Sequence, residues 1–479
     1  MRNTKIIATI GPGSQDPETV RKLLMAGVDV FRVNASHGTH GEHSARIRTI
    51  RTVAAAHQFN PAILLDLQGP KIRLGQFAGG SATLATDSTF TITTEPVLGT
   101  AALASTTYFL FAKEVLPGSK VLLADGAVEL RAISSNGVEV QFEVVSGGTV
   151  KDRQGINLPG VRVSIPSMTE KDFADLDFGL QQEVDLVALS FVRSAGDVMM
   201  LRERMREGER HVPIISKIEK PEALDHLEEI IDASDGVMVA RGDLGVELAL
   251  PRVPAAQKRI IERARFAGKF VITATQMFES MIQNSSPTRA EVNDVANAIF
   301  DGTDATMLSA ETATGKHPVE AVRMMSEVAL EAENWLRTRT FPDPPPFEDP
   351  SHAQMVAEAA HRAGLSAGVK AIVVFTASGY TARLISRFRP HVPIYAICES
   401  AAVARSLAPV YGVHTIAPVR VETIEEMVQV SDLKLLGEAW SRIGDSVILV
   451  AGGPTNAPGA SNLIKLHRIG AVNVQSGVE

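Results

Sequence analysis

A single cysteine, Cys398, stands among 479 residues. It cannot close an intrachain disulfide, so an oxidised scaffold and a cysteine-based metal centre are both excluded. Aromatic residues make up only 5% of the chain, with two Trp and four Tyr, too few for a surface that stacks single-stranded bases. No apolar run reaches the ~18 residues of a membrane span. The opening MRNTKIIATIGPG is short in its apolar part and soon broken by glycine, so it is not expected to act as a signal peptide, and a cytoplasmic location is the expectation. Formal charge is −8, from 47 Lys and Arg against 55 Asp and Glu. That argues against a nucleic-acid or membrane partner, while small anions in a local basic pocket remain allowed. GxxxxGK[ST], a GxGxxG after a strand, and HExxH are all missing, so a P-loop, a dinucleotide fold and a zincin site are not expected.

What is present is a large core. Hydrophobic content is 45% and charged content 21%, average for a globular chain and incompatible with wholesale disorder. The length suggests about three domains. KIIATIG (5–11), VDVFRVNAS (28–36) and AILLDLQG (62–69) read as buried strands. Between the first two, Pro17 to Ala26 reads as a helix, with Asp16 as its cap and Gly27 after its end. From about Ile72 to Pro159 the pattern changes to alternation. Val138, Val140, Phe142 and Val144 fall on one side, Glu139, Gln141 and Glu143 on the other, with hairpin turns at Asp125-Gly126 and Ser135-Asn136-Gly137. Strand–helix alternation then resumes with LVALSFV (186–192), PIISKIE (213–219), GVMVARGD (236–243), FVITATQM (270–277) and ATMLSAE (305–311). Eight such units predict a (β/α)8 TIM barrel in preference to an open flavodoxin-like sheet.

The expected division is a catalytic barrel over 1–70 and 163–340 and an inserted small antiparallel β-barrel lid over 71–162. A Pro-rich linker over 341–350 and a C-terminal open-sheet α/β domain over 351–479 follow. The lid leaves the barrel after the third strand, on the face where such barrels carry their chemistry, and a hinged cap there can exclude water.

The strand ends are polar. They supply Arg32, Asn34, Ser36 and His37; Asp66, Lys71 and Arg73; Ser190 and Arg193; Lys217 and Glu219; Arg241, Gly242 and Asp243; Thr275; Ser309 and Glu311. Glu219 and Asp243 are hard oxygen ligands suited to Mg²⁺ or Mn²⁺. Arg32, Arg73 and Lys217 are fixed cations around the same point. A metal with cations is what phosphoryl transfer needs, because its charge is stabilised electrostatically. A helix starting near Gly242 adds backbone N–H groups for a carboxylate or phosphate. Singly, each has a plainer reading: Lys217 and Glu219 as a solvated ion pair, Asp243 as a helix cap, Arg32 as an interdomain salt bridge, His37 as a structural histidine. Seven strands ending this way outweigh those readings.

IISKIEKPEAL (214–224) resembles the signature of the pyruvate kinase family. KIIATIGPGS (5–14), FRVNASHG (31–38), LDLQGPKIR (65–73), GINLPG (155–160), ARGDLGVE (240–247), ATQMFESM (274–281), PTRAEVNDVANA (287–298) and DATMLSAETATGKHP (304–318) resemble its motifs in family order. The resemblance implies phosphoryl transfer from phosphoenolpyruvate to ADP, giving pyruvate and ATP. It implies Glu219 and Asp243 as metal ligands and Lys217 as the stabiliser of the transferring group and enolate. Arg32 and Arg73 become phosphate-binding arginines, and Gly242, Asp243 and Thr275 the carboxylate site. Thr275, Ser309 and Glu311 are linked to enolate protonation. Asn34, His37, Arg73 and Arg153 are implied near the nucleotide.

Asn34, Ser36, Asp66 and Leu67, the last through its carbonyl, match a monovalent-cation site. Many members carry Glu where this chain has Lys71; with Leu67, Gln68 and Leu74, Lys71 resembles a K⁺-independent branch. An ammonium there supplies the charge of the ion, so K⁺ is not expected to be required. Gln154 departs from the lysine usual before GxNLPG, and Arg153 is the candidate substitute. In the C-terminal domain TASGYT resembles an effector turn, making Thr376, Ser378, Gly379, Tyr380 and Thr381 candidates for a sugar phosphate or AMP. GGPTNAPGASN (452–462) resembles the neighbouring effector loop. A homotetramer is implied. The competing functions are an enolate-forming lyase of the same barrel type and a non-catalytic metabolite sensor.

Overall fold

The computed structural model describes residues 2–208, 211–339, 342–366, 368–438, 441–452 and 461–470. Eight parallel strands close into a barrel: β1 (Lys5–Thr9), β2 (Val30–Asn34), β3 (Ala62–Asp66), β4 (Leu186–Leu189), β5 (Ile214–Ile218), β6 (Gly236–Ala240), β7 (Phe270–Ala274) and β8 (Ala305–Leu308). They follow one another around the ring, and β8 returns to β1 with Leu308 opposite Ala8. Every residue of these strands is buried except Asn34 and Lys217, which are half-buried and both site candidates. Burial on both faces is why the strands read as continuous apolar runs. Ile6, Phe31, Ile63 and Leu65 pack outward against the helices. Ile7, Leu64, Ile215, Met238 and Ile272 fill the interior, and that core runs on into Ala357, Leu384 and Val410 of the C-terminal domain. At Gly236 a Cβ would come within 2.4 Å of the Phe270 ring, so only glycine lets this ring plug the lower barrel.

Local chemistry sets the helices. Pro17–Ala26 begins where Asp16 accepts from the Thr19 amide at 3.0 Å and ends at Gly27, φ 109°, as the sequence predicts. The strands stop earlier than their apolar runs suggest. GVMVARGD ends as strand at Ala240, and a helix runs Arg241–Glu247. FVITATQM ends at Ala274, where Thr275 and Gln276 take positive φ. Neither break carries the usual Gly or Pro punctuation at the break itself.

Between β3 and β4 lies a β domain with its own core of Phe90, Phe111, Val140, Phe142 and Val144. Its main sheet has six strands, ordered Ile156–Asn157, Lys120–Leu123, Val128–Ser135, Glu139–Ser146, Thr89–Thr93 and Leu103–Ser105. The last pair is parallel and the others antiparallel. Val138 is exposed rather than in line with Val140; it sits in the turn, its amide held by Asn136 Oδ1 at 2.9 Å.

The C-terminal sheet has five strands in the order Val413–Ile416, Ile394–Cys398, Val369–Thr376, Ser446–Gly452 and Ser461–Arg468. The first four are parallel; the last, which the sequence reading does not assign, is antiparallel. Residues 453–460 of the expected effector loop lie outside the described residues. The Pro-rich segment is pinned: the Arg387 guanidinium lies 4.0 Å over the Phe347 ring and donates to the Pro345 carbonyl at 2.7 Å. A second tie joins the domains, where Arg389 donates to both oxygens of Asp304 at 2.9 Å and to the Gly302 carbonyl at 2.6 Å.

Candidate active site

At the C-terminal mouth of the barrel, β2, β3, β4 and β5 each deliver a side chain to one point. Lys217, near the end of β5, donates to Ser190 Oγ at 2.8 Å. Its ammonium is 2.8 Å from Glu219 Oε1 and 3.4 Å from Asp66 Oδ1. Asp66 accepts from Arg32 Nε at 2.7 Å, and Arg32 NH1 donates to Thr9 Oγ1 at 3.1 Å. Ser190 Oγ donates onward to the Leu67 carbonyl at 2.7 Å. The pair is not a solvated surface salt bridge: the Lys217 and Glu219 side chains are 12% and 1% exposed. Nor does Arg32 bridge domains; its partners lie within the barrel.

Burial opposes charge on Lys217, but Asp66, Glu219 and Asp243 outweigh it and raise its pKa above the usual lysine value. Burial likewise opposes charge on Asp66, and Lys217 and Arg32 prevail, lowering its pKa. For Glu219 burial wins: its pKa is raised, with Lys217 pulling down and Asp243 pushing up. Glu219 Oε2 accepts from the Phe191 amide at 2.8 Å. Beyond the Lys217 ion pair, Glu219 Oε1 is buried with no hydrogen-bond partner.

Across the mouth, Gly242 donates its amide to Thr275 Oγ1 at 2.7 Å, and that hydroxyl donates to the Ala274 carbonyl at 2.6 Å. The two expected carboxylate donors are therefore tied to each other. Glu311 accepts from the Phe278 amide at 3.1 Å and the Ser309 amide at 2.7 Å. Ser309 Oγ is buried and unpartnered.

Toward the lid, Arg73 NH1 donates to the Arg153 carbonyl at 3.1 Å, and its backbone bridges to Gly155. Arg153 itself is exposed, with φ 55°. The Lys71 side chain lies over Gly155, where a Cβ would come 3.1 Å from Lys71 Cε. His37 sits within the field of the same cations: partial burial first, then Arg73, Lys71 and Arg32, lower its pKa. Asn34 Oδ1 accepts from the Ser36 amide at 3.0 Å, and Asn34 pairs across the sheet with Asp66.

A metal fits this donor set as a guest held partly by substrate. Among the described residues no three His, Cys, Asp or Glu side chains form a closed metal cage. Glu219 Oε1 is nevertheless a buried carboxylate oxygen lacking a donor. Mg²⁺ takes one or two carboxylates and completes its octahedron with water and phosphate oxygens.

The turn expected to bind an effector lies in the C-terminal domain, between the strand Val369–Thr376 and the helix Tyr380–Ser386. Gly379, φ 78°, donates to Thr376 Oγ1 at 2.8 Å; the Tyr380 amide reaches Ser378 Oγ at 3.4 Å, and Thr381 Oγ1 pairs with Ser461 Oγ at 2.6 Å. Of the five, only Ser378 lines the cavity of about 470 Å³ at the barrel's lower end, with Arg202, Arg383 and Arg405. Two contacts of the candidate residues are not legible in the sequence. Ser190 is visible as a polar strand end, but not as the holder of Lys217. Thr9, the lone hydroxyl in KIIATI, does not announce that it orients Arg32.

Residues 1–322 match the family model described as pyruvate kinase, barrel domain, and residues 354–467 match that of the pyruvate kinase alpha/beta domain. A pyruvate kinase of Mycobacterium tuberculosis is 44% identical over 474 residues, covering 99% of this chain and all of the relative. One of Geobacillus stearothermophilus is 43% identical over 472 residues, covering 98% of this chain and 80% of the relative. The crystal structure of a pyruvate kinase from Cryptosporidium parvum superposes with a TM-score of 0.90 at 36% identity, covering 98% of this chain and 96% of that one.

Proposed function

This chain belongs to the pyruvate kinase family, and from that premise we propose how its residues divide the transfer of a phosphoryl group from phosphoenolpyruvate to ADP. The observation that carries the proposal is the buried Lys217 ammonium, wedged between Glu219 and Asp66 at the barrel mouth. In the reaction the bond from phosphorus to the enol oxygen breaks, and one to a terminal oxygen of ADP forms. The electron pair stays on the enolate, which takes a proton at carbon to become pyruvate. Lys217 lies where negative charge spreads over the moving group and enolate oxygen, and its raised pKa keeps it charged. Arg32 and Arg73 hold phosphate. Gly242, Asp243 and Thr275 hold the substrate carboxylate, the Thr275 hydroxyl rotating off Ala274 to do so. Thr275, Ser309 and Glu311 line the route of the proton, the unpartnered Ser309 hydroxyl supporting a water there. Arg73, Asn34, His37 and Arg153 face the nucleotide.

Glu219 and Asp243 would hold Mg²⁺ or Mn²⁺, which neutralises charge on the phosphate oxygens and orients them. Lys71 supplies the charge that K⁺ brings elsewhere in the family, in place of an ion held by Asn34, Ser36, Asp66 and the Leu67 carbonyl. The inserted β domain closes as a lid. A sugar phosphate or AMP acts at Thr376, Ser378, Gly379, Tyr380 and Thr381. The enzyme works as a cytoplasmic homotetramer. Mn²⁺ binding followed by titration calorimetry tests the metal assignment. Glu219→Gln is expected to weaken it at least tenfold, and unchanged affinity overturns that assignment.

A further inference from the structure

The chain leaves β7 through two consecutive left-handed residues, Thr275 at φ 70° and Gln276 at φ 53°. Neither is glycine, and for β-branched Thr275 such a conformation is a true outlier. A turn of this kind persists only where its surroundings over-determine it.

Arg241 supplies those surroundings. It is the first residue of the helix after β6, a position where a cation opposes the helix dipole, so helix stability does not explain it. Its guanidinium crosses to the neighbouring turn instead. NH2 donates to the Thr275 carbonyl at 2.7 Å and to the Gln276 carbonyl at 3.1 Å, and Nε reaches the Thr275 carbonyl at 3.2 Å. NH1 is anchored from behind by Asp294 Oδ2 at 2.6 Å, and the Arg241 side chain is 10% exposed. Both carbonyls of the strained turn thus converge on one planar fork. The next residue, Gly242, holds the same turn from its backbone, donating its amide to Thr275 Oγ1.

We propose that Arg241 is a positioning residue for the substrate carboxylate: by gripping the Thr275 and Gln276 carbonyls it keeps the turn left-handed, and so aims the Thr275 hydroxyl at the Gly242 amide. The inference rests on the reading above that Gly242 and Thr275 receive that carboxylate. Arg241 touches no substrate, and its effect passes entirely through backbone shape.

Glycine separates this role from a role of charge, because glycine takes positive φ freely. Arg241→Ala is expected to raise KM for phosphoenolpyruvate about 10–100-fold, since the carboxylate contact serves ground and transition states alike, with a smaller fall in kcat because Thr275 also lines the route of the proton. Gln276→Gly alone is expected to move KM less than about twofold. Placed on Arg241→Ala, it is expected to recover about fivefold or more of the lost KM. Arg241→Lys, which keeps the charge but not the fork, is expected to show the same rise and the same rescue, and it decides the matter if Arg241→Ala does not fold. An unchanged KM, or a raised KM that Gln276→Gly fails to lower, overturns the proposal. Calorimetric binding of pyruvate to the same variants reads the carboxylate site without turnover. Wild-type protein that binds pyruvate but turns nothing over contradicts the functional reading alone; wild-type protein that does neither contradicts both.

Discussion

The Lys217 ammonium stands 2.8 Å from Glu219 Oε1, both side chains nearly sealed from solvent. A buried ion pair is poor evidence of stability, because desolvation consumes most of its attraction. Here the pair lies at the reactive end of a barrel, with the carboxylate oxygen otherwise unpartnered. On the function proposed above, it is a charge stored for chemistry.

Removing that charge should separate two half-processes. Lys217→Met is expected to lower phosphoryl transfer by about 10²–10³-fold or more, while pyruvate still exchanges its methyl protons with solvent. Proton exchange followed by NMR checks this. Equal loss of substrate binding with no effect on the chemical step would contradict the role given to Lys217.

Lys71 makes a second prediction. Its side chain crosses Gly155 beside the mouth and contributes to the field that lowers the pKa of His37. Full activity is expected in Tris or Na⁺ buffer without K⁺. Lys71→Glu is expected to become K⁺-dependent. Strong activation of the wild-type enzyme by K⁺ would sink the substitution of ammonium for ion.

Stability should fall on mild acidification through His414. Burial first, with Lys5 and Arg2 assisting and Asp29 opposing, pushes its pKa down to about 3. Unfolded, it titrates near 6.5. Below that pH the unfolded chain gains a proton that the folded chain refuses, so its share of stability is intact above pH 6.5 and is lost toward pH 3, on the order of a few kcal/mol. His414→Gln is expected to flatten the decline of the melting temperature over this window. An identical slope in the variant would count against the assignment.

The domain junction yields a further prediction. Arg389 and Asp304 are 2% and 3% exposed. Arg389→Ala leaves Asp304 buried without its cation and is expected to cost about 3–5 kcal/mol, seen as a lower unfolding midpoint. An unaltered midpoint would show that the pair is dispensable.

The strands were legible because burial on both faces makes each a continuous apolar run, and Lys217 and Asn34 were legible as polar strand ends, which the structure leaves half-buried. Where strands stop was not legible. At Thr275 and Gln276 tertiary contacts from Arg241 impose a left-handed turn that no local residue signals. The closing strand Ser461–Arg468 escaped because its antiparallel pairing with Ser446–Gly452 is a long-range choice. Candidate site residues were read by type and position, while the partners that hold them, Ser190 for Lys217 and Thr9 for Arg32, are set by neighbouring strands in the closed ring.

The most direct test is pyruvate formation from phosphoenolpyruvate, followed with and without ADP in the presence of Mg²⁺. Turnover is expected only with ADP, with one ATP appearing for each pyruvate. Pyruvate released at the same rate without ADP, or no pyruvate under either condition, would contradict it.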